Sequence, residues 1–322
     1  RRALGAAAVA GASATGAVAF APAPCSWQGV EVRDRQQLQG VTRCEEPSSD
    51  IIRIRFGSIR LRDGRTLAYH EEGHGIPVFC FHGMGSSRLT WLGVPLTSIC
   101  PGVRLIAVDR PGYGSSSPPP YGYSYNSFVR DLKELADHLQ VYRFCVAGHS
   151  SGGPYALAAA ACLPDRVAAC AAISSDAPYA HPQTPAALNE ADTMSQSAKV
   201  FSGGLYGQDP ADFAAGMRDS ALKAGKTDKA HAWKSGTDGW VCDWSLERLP
   251  WSFQLEDIAL GPRLTIWYGS EDIDAIMVGA PFLQSLVPGS QLRAVEGGDH
   301  GFKRHPQHLA AILSELKDQF LS

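Results

Sequence analysis

The stretch VAGHSSGGPYALAAAA, Val146 to Ala161, joins a short apolar run to an alanine-rich helix former through a turn that holds three glycines and two adjacent serines. A serine at such a turn becomes an exposed nucleophile in the pattern Gly-x-Ser-x-Gly. Only one register fits, Gly148-His149-Ser150-Ser151-Gly152; for Ser151 the first glycine would have to stand at 149, which is histidine. Ser150 is therefore the candidate nucleophile, and Ser151 needs another role. The run before the turn suits a buried strand and the run after it a helix, with Pro154 in the first helical turn, where a missing N–H costs little.

The same rhythm extends in both directions. IPVFCFHG (76–83) and VRLIAVDRPGYG (103–114) are continuous apolar runs that end in glycine-rich loops, as buried parallel strands do. Before them, IIRIRFGSIRLRDGRTLAYHEEG (51–73) alternates apolar and polar residues around Asp63-Gly64 and predicts an antiparallel hairpin. YSYNSFVRDLKELADHLQV (123–141) has helical spacing, with Phe128, Leu132, Leu135 and Leu139 on one face and Asn126 or Ser127 as the cap. VAACAAISS (167–175) continues the βαβ series. From Asp176 to about Leu249 the rhythm stops, and helical fragments alternate with Gly and Pro punctuation. It resumes with PRLTIWYGSEDID (262–274), a helix through GAPFLQSLV (279–287), the strand QLRAVEGGDHG (291–301) and a last helix, HLAAILSELKDQFL (308–321). The expected fold class is α/β, a doubly wound and mostly parallel sheet with an inserted helical cap. The expected division is a targeting leader at 1–27, a polar linker at 28–50, a core of 51–175 and 250–322, and a cap of 176–249.

Composition limits the function classes. A chain of 322 residues, 44% hydrophobic and 19% charged, can bury a large core. A net charge of -3 and no Lys/Arg run longer than two residues remove the electrostatic footprint of nucleic-acid binding, so a small molecule is the expected partner. Cys80, Cys145, Cys162 and Cys170 fall within apolar strand or helix patterns, as reduced core thiols do, whereas Cys25 and Cys44 lie outside the core and could pair in an oxidising compartment. No Cys-x-x-Cys pair suggests zinc. No Gly-x-Gly-x-x-Gly follows a first nucleotide-binding strand, which argues against an oxidoreductase.

Four motifs in order carry a family resemblance: HGMGSS (82–87), DRPGYGSS (109–116), GHSSGG (148–153), and GSEDID (269–274) followed by GGDHGF (297–302). Over residues 51–322 the chain resembles the α/β-hydrolases, in the serine esterase form with a helical cap. The resemblance implies a triad of Ser150, Asp272 and His300, in the family's order of serine, acid and histidine. Asp274 is the alternative acid, and His305 and His308 are the competing histidines. The resemblance also implies an oxyanion hole from the amides of Met84 and Ser151, which would give the second serine its role. His82 would shape the loop, and Asp109 and Arg110 would be scaffold. His149 could line the pocket or pack beside the turn.

The expected reaction is hydrolysis of a carboxylic ester or similar acyl compound through an acyl-enzyme, with no metal or organic cofactor. Serine at the turn argues against epoxide hydrolases and haloalkane dehalogenases, which use aspartate there, and HGMGS departs from the His-Gly-Gly-Pro-Gly of proline iminopeptidases. Carbon-carbon bond hydrolysis, perhydrolysis and a non-catalytic ligand-binding role remain open. Four of the seven tryptophans fall between Trp233 and Trp251, where packing of a small cap is the simpler reading than a substrate cage.

Arg1 and Arg2 precede an uncharged small and apolar run to Phe20. Ala17-Val18-Ala19-Phe20-Ala21-Pro22 resembles the cleavage motif of plastid-targeting leaders in algae with secondary plastids; a secretory or twin-arginine leader, or an Ala-rich tail, also fits. Glycine and Ser/Thr dilute the run, so a membrane span is not expected. Deleting residues 1–27 is expected to leave ester turnover unchanged and the melting temperature within a few degrees, because the segment has no periodic face to pack on a core. Thermal unfolding and an ester assay of the truncated chain measure both.

Overall fold

The apolar runs become the middle of one nine-stranded sheet. The computed structural model describes residues 28–32, 52–92, 96–190, 210–225 and 227–322. The strands are β1 (Gln28–Val32), β2 (Ile52–Arg60), β3 (Thr66–Gly73), β4 (Ile76–Phe81), β5 (Val103–Val108), β6 (Phe144–His149), β7 (Val167–Ile173), β8 (Leu264–Gly269) and β9 (Gln291–Val295). They lie in the order β1-β2-β3-β5-β4-β6-β7-β8-β9. β1, β2, β3 and β5 pair antiparallel, and every pairing from β5–β4 through to β8–β9 is parallel. From β4 the chain steps outward to β5 and then returns to the other side of β4 to form β6. That reversal makes a crevice at the carboxyl ends of β4 and β6, the usual ligand position in such sheets.

The helices are α1 (Leu96–Ile99), α2 (Tyr125–His138), α3 (Gly153–Cys162), α4 (Ala186–Glu190), α5 (Pro210–Ala224), α6 (Thr227–Ala232), α7 (Asp238–Arg248), α8 (Asp274–Leu286) and α9 (Pro306–Leu321). α2, α3 and α8 cover one face of the sheet, and α1 and α9 the other. α2 buries Phe128, Leu132 and Leu135 completely, and α9 buries Leu309, Ile312, Leu313 and Leu316, the spacing of one helical stripe. α3 is buried from Gly153 to Ala160, which lets it lie close to the sheet. None of the described helices is long and apolar enough to cross a membrane.

Three details differ from the sequence reading. Residues 28–50 suggested a linker, yet Gln28–Val32 adds an edge strand, because the outer side of β2 offers unpaired backbone groups to any extended segment. The cap of α2 is Ser124, whose hydroxyl accepts from the Ser127 amide at 3.2 Å, and not Asn126 or Ser127. Asn126 instead binds Ser252 through its amide and side chain. Cys162, at the last position of α3, is exposed and faces Asn126, unlike the buried Cys80, Cys145 and Cys170. Cys25 and Cys44 lie outside the described residues.

The described elements of residues 176–249 are helical, and polar contacts join them to the core. Asp243 of α7 accepts from the Arg110 guanidinium, from Tyr113 at 2.6 Å and from Tyr155 at 2.7 Å. Asp228 of α6 accepts from the hydroxyls of Ser86 and Ser87 and from the Ser87 amide. His231 meets Asp109 at 3.0 Å, and Arg88 holds the same carboxylate. Trp233 and Trp240 pack with Tyr113 and the partly buried Met84, whereas Trp251 joins the core beside Tyr125 and Phe253. Three of the four clustered tryptophans are thus buried packing groups, Trp244 being half-buried.

Arg110 and Asp243 are both almost fully buried, so removing one partner strands the other's charge. Asp243→Ala is expected to cost about 3–5 kcal/mol in urea unfolding. Removing the exposed Lys133–Asp137 pair by Lys133→Ala should cost about 0.5 kcal/mol or less in the same assay. Similar losses for the two variants would contradict this reading of the cap contact.

Candidate active site

The turn after β6 is a tight strand-to-helix elbow. Ser150 has φ 55°, in the left-handed region that a side chain makes costly. The neighbouring glycines permit it: a Cβ on Gly148 would lie 2.1 Å from the Gly152 carbonyl oxygen, and one on Gly152 would lie 2.4 Å from that of Phe81. The constraint lifts the Ser150 side chain above the carboxyl edge of the sheet, where it is partly exposed while Ser151 is buried.

Three side chains from separate strand ends meet there. Ser150 Oγ lies 3.1 Å from His300 Nε2, and His300 Nδ1 lies 2.7 Å from Asp272 Oδ1. A carboxylate only accepts, so Nδ1 carries the proton and Nε2 is left to accept from the serine hydroxyl. Asp272 stands in the turn after β8 and is buried. Burial would raise its pKa, but the His300 hydrogen bond and charge, the Ser174 hydroxyl at 2.6 Å and the Ile273 amide at 2.8 Å outweigh it and hold the carboxyl below its ordinary value. Asp274 begins α8 and is exposed, where a carboxylate suits a helix N-terminus. His305 is exposed and His308 half-buried, outside the hydrogen-bonded chain.

The loop after β4 closes over the elbow. A Cβ on Gly83 would lie 3.0 Å from Ser150 Cβ, so the backbone leading into Met84 passes beside the serine. His82 is fully buried: Nδ1 donates to the Gly83 carbonyl at 2.9 Å, and Nε2 accepts from the Arg110 amide at 3.1 Å. Burial, reinforced by the Arg110 charge, pushes its pKa well below the ordinary value and keeps it neutral. His82 thus ties the Gly83–Met84 loop to the Asp109–Arg110 loop. Asp109 itself is wholly buried and accepts from the Arg88 and Ser115 amides.

Two residues whose part the sequence reading missed hold this arrangement. His149 Nε2 donates to the His300 carbonyl at 2.8 Å, so the residue before Ser150 anchors the backbone of the residue that faces it. Burial, then the charges of Lys303 and His300, push the His149 pKa well down, so its ring is neutral. Ser174, just past β7, also has positive φ, 43°, and its hydroxyl holds Asp272. The Ser174-Ser175 pair at a strand end was the only hint in the sequence. Among the described residues no group of three His, Cys, Asp or Glu is placed to hold a metal ion.

Comparison with known proteins places this geometry. A family model described as the alpha/beta hydrolase fold matches residues 76–303. A putative 2-succinyl-6-hydroxy-2,4-cyclohexadiene-1-carboxylate synthase of Bacillus subtilis is 34% identical over 35% of this chain and 42% of its own. A non-heme chloroperoxidase of Streptomyces lividans is 32% identical over 38% of this chain and 46% of its own. The matched part thus spans less than half the length of these curated relatives. The crystal structure of a thermophilic esterase from Thermogutta terrifontis superposes with a TM-score of 0.60 at 20% identity, over 82% of this chain and 98% of that one, a likeness of fold. With its elbow, its sheet order and a family match across most of its length, the chain belongs to the alpha/beta hydrolase fold family.

Proposed function

We propose that the chain is a serine hydrolase that cleaves a carboxylic ester or a similar acyl compound through an acyl-enzyme. The observation that carries this reading is the hydrogen-bonded chain Ser150–His300–Asp272 on a strained elbow. A serine hydroxyl is a weak nucleophile at neutral pH, and a base within reach relieves that. His300 Nε2 takes the Ser150 proton as Oγ bonds to the substrate carbonyl carbon. The carbonyl oxygen becomes an oxyanion that accepts from the Met84 and Ser151 amides. Collapse breaks the bond to the leaving alcohol, which takes the proton from His300, and the acyl group stays on Ser150. Water then attacks the acyl carbon, giving one proton to His300; Ser150 leaves with that proton, and a carboxylic acid is released. Asp272 holds the imidazole in the required tautomer and stabilises the imidazolium without being protonated itself. His149 is a positioning residue that keeps His300 over the serine.

Ester hydrolysis is favoured over the aspartate-nucleophile reactions of the same fold because serine stands at the elbow. A fluorophosphonate probe should label Ser150 and fail to label the Ser150→Ala variant. Asp272→Asn is expected to lower turnover of an activated ester on the order of a thousandfold, and Asp274→Asn less than about tenfold. Circular dichroism confirms that both variants fold. The reverse ranking moves the acid to Asp274, and two mild losses with unimpaired labelling of Ser151 instead of Ser150 undo the triad.

A further inference from the structure

Two buried carboxyl groups adjoin this machinery and take no part in the acyl transfer. Asp176 follows β7 by three residues, where the insertion begins, and Glu247 stands near the end of α7, where the insertion closes. They are 8% and 2% exposed. The Ser151 hydroxyl faces both and favours their charged forms, and Asp176 is close enough to His300 to feel its charge. The pair therefore flanks the residue next to the nucleophile and the base that serves it.

A buried carboxyl group is expensive to keep without partners. Their neighbour Asp243 has its partners in Arg110, Tyr113 and Tyr155. Glu247 is served less fully: the Ser151 hydroxyl faces it and the Arg248 guanidinium lies 3.7 Å from Oε2, but Oε1 is buried with no hydrogen-bond partner. Burial raises the pKa of both groups, and for Glu247 the adjacent Asp176 charge adds to the rise. Two carboxyl groups so placed oppose each other's ionisation, and Glu247 Oε1 is left open in a nearly dry site. Arg248 lends charge to the pair without reaching Oε1, and the donor that Oε1 lacks is one that a cationic substrate can bring.

We propose that Asp176 and Glu247 form a recognition site for a positively charged amine carried on the acyl part of the substrate, close to the carbonyl that Ser150 attacks. An ammonium group supplies the counter-charge and up to three donors, enough to fill Glu247 Oε1 and reach Asp176. A neutral acyl chain of the same size would leave the acids unpaired. The proposal rests on the ester-hydrolase reading, which it deepens by naming the substrate class.

The test compares the benzyl esters of β-alanine and of butyrate at pH 7, acyl groups of equal size that differ in an ammonium for a methyl. Wild-type kcat/KM is expected to favour the β-alanine ester at least tenfold. That ratio should fall to within about threefold of one in Glu247→Gln and in Asp176→Asn. A second readout needs no turnover. Propylammonium, but not propanol, should slow fluorophosphonate labelling of Ser150 in the wild-type protein, and the difference should vanish in Glu247→Gln. Equal use of the two esters, or labelling slowed alike by amine and alcohol, overturns the proposal and leaves the hydrolase reading standing. A wild-type protein in which the probe never labels Ser150 overturns both.

Discussion

Ser150 occupies a backbone conformation that costs an L-residue on the order of 1–3 kcal/mol, and the rest of the site is arranged around that constraint. The cost is borne by close packing on either side. Gly148 and Gly152 let backbone approach backbone where any Cβ would collide, and α3, buried from Gly153 to Ala160, fixes the exit direction of the chain. Relaxing φ at Ser150 would therefore mean moving a helix against the sheet. A serine on a mobile loop could reach the same point in space only by losing conformational entropy at each encounter.

The histidine and the acid are held by similarly indirect means. His300 lies in a glycine-rich loop, which by itself would allow many ring positions. Its carbonyl is bound by His149, the residue just before Ser150, so His300 is referenced to the strand that carries Ser150. Asp272 is fixed by the Ser174 hydroxyl, from the end of the next strand, and Ser174 has a positive φ as well. β6, β7 and β8 are neighbours in the sheet, so two strained residues and one carboxylate stand at adjacent strand ends. The parallel ladder, which sets strand ends side by side, converts sequence separations of 98 to 151 residues into hydrogen bonds.

This division explains what the sequence disclosed. Ser150, Asp272 and His300 were legible because each belongs to a short motif at the end of an apolar run, and the geometry brings those three together. The central strands were legible for the same reason, since burial on both faces forces continuous apolar residues. His149 and Ser174 were not, because their roles are contacts to residues far along the chain and nothing in their neighbours encodes the partner. The cap of α2 was misplaced because three candidate residues, Ser124, Asn126 and Ser127, crowd the boundary and only backbone geometry separates them. The attachment of the insertion was equally hidden: a buried Arg110–Asp243 pair spans 133 residues, and charged residues normally suggest surface.

The second serine of the elbow gains its meaning from these contacts. The amide of Ser151 is assigned to the oxyanion in the proposed reaction, while its hydroxyl turns toward Asp176 and Glu247. A negative charge on either acid would act in two senses. It favours the imidazolium that His300 becomes during attack, and it opposes the oxyanion that forms at the same moment. In a site of low effective dielectric each influence is of order a few kcal/mol, so the balance between them matters for turnover. A substrate ammonium bound by the two acids would cancel the repulsion at the oxyanion while giving up part of the attraction for His300, whose own partner, Asp272, remains in place. In the proposed reaction the imidazolium keeps Asp272 and the oxyanion keeps its amide donors, so a bound ammonium removes a repulsion from the oxyanion without depriving the imidazolium of its partner. Selectivity for a charged substrate would then arise in the chemical step as well as in binding.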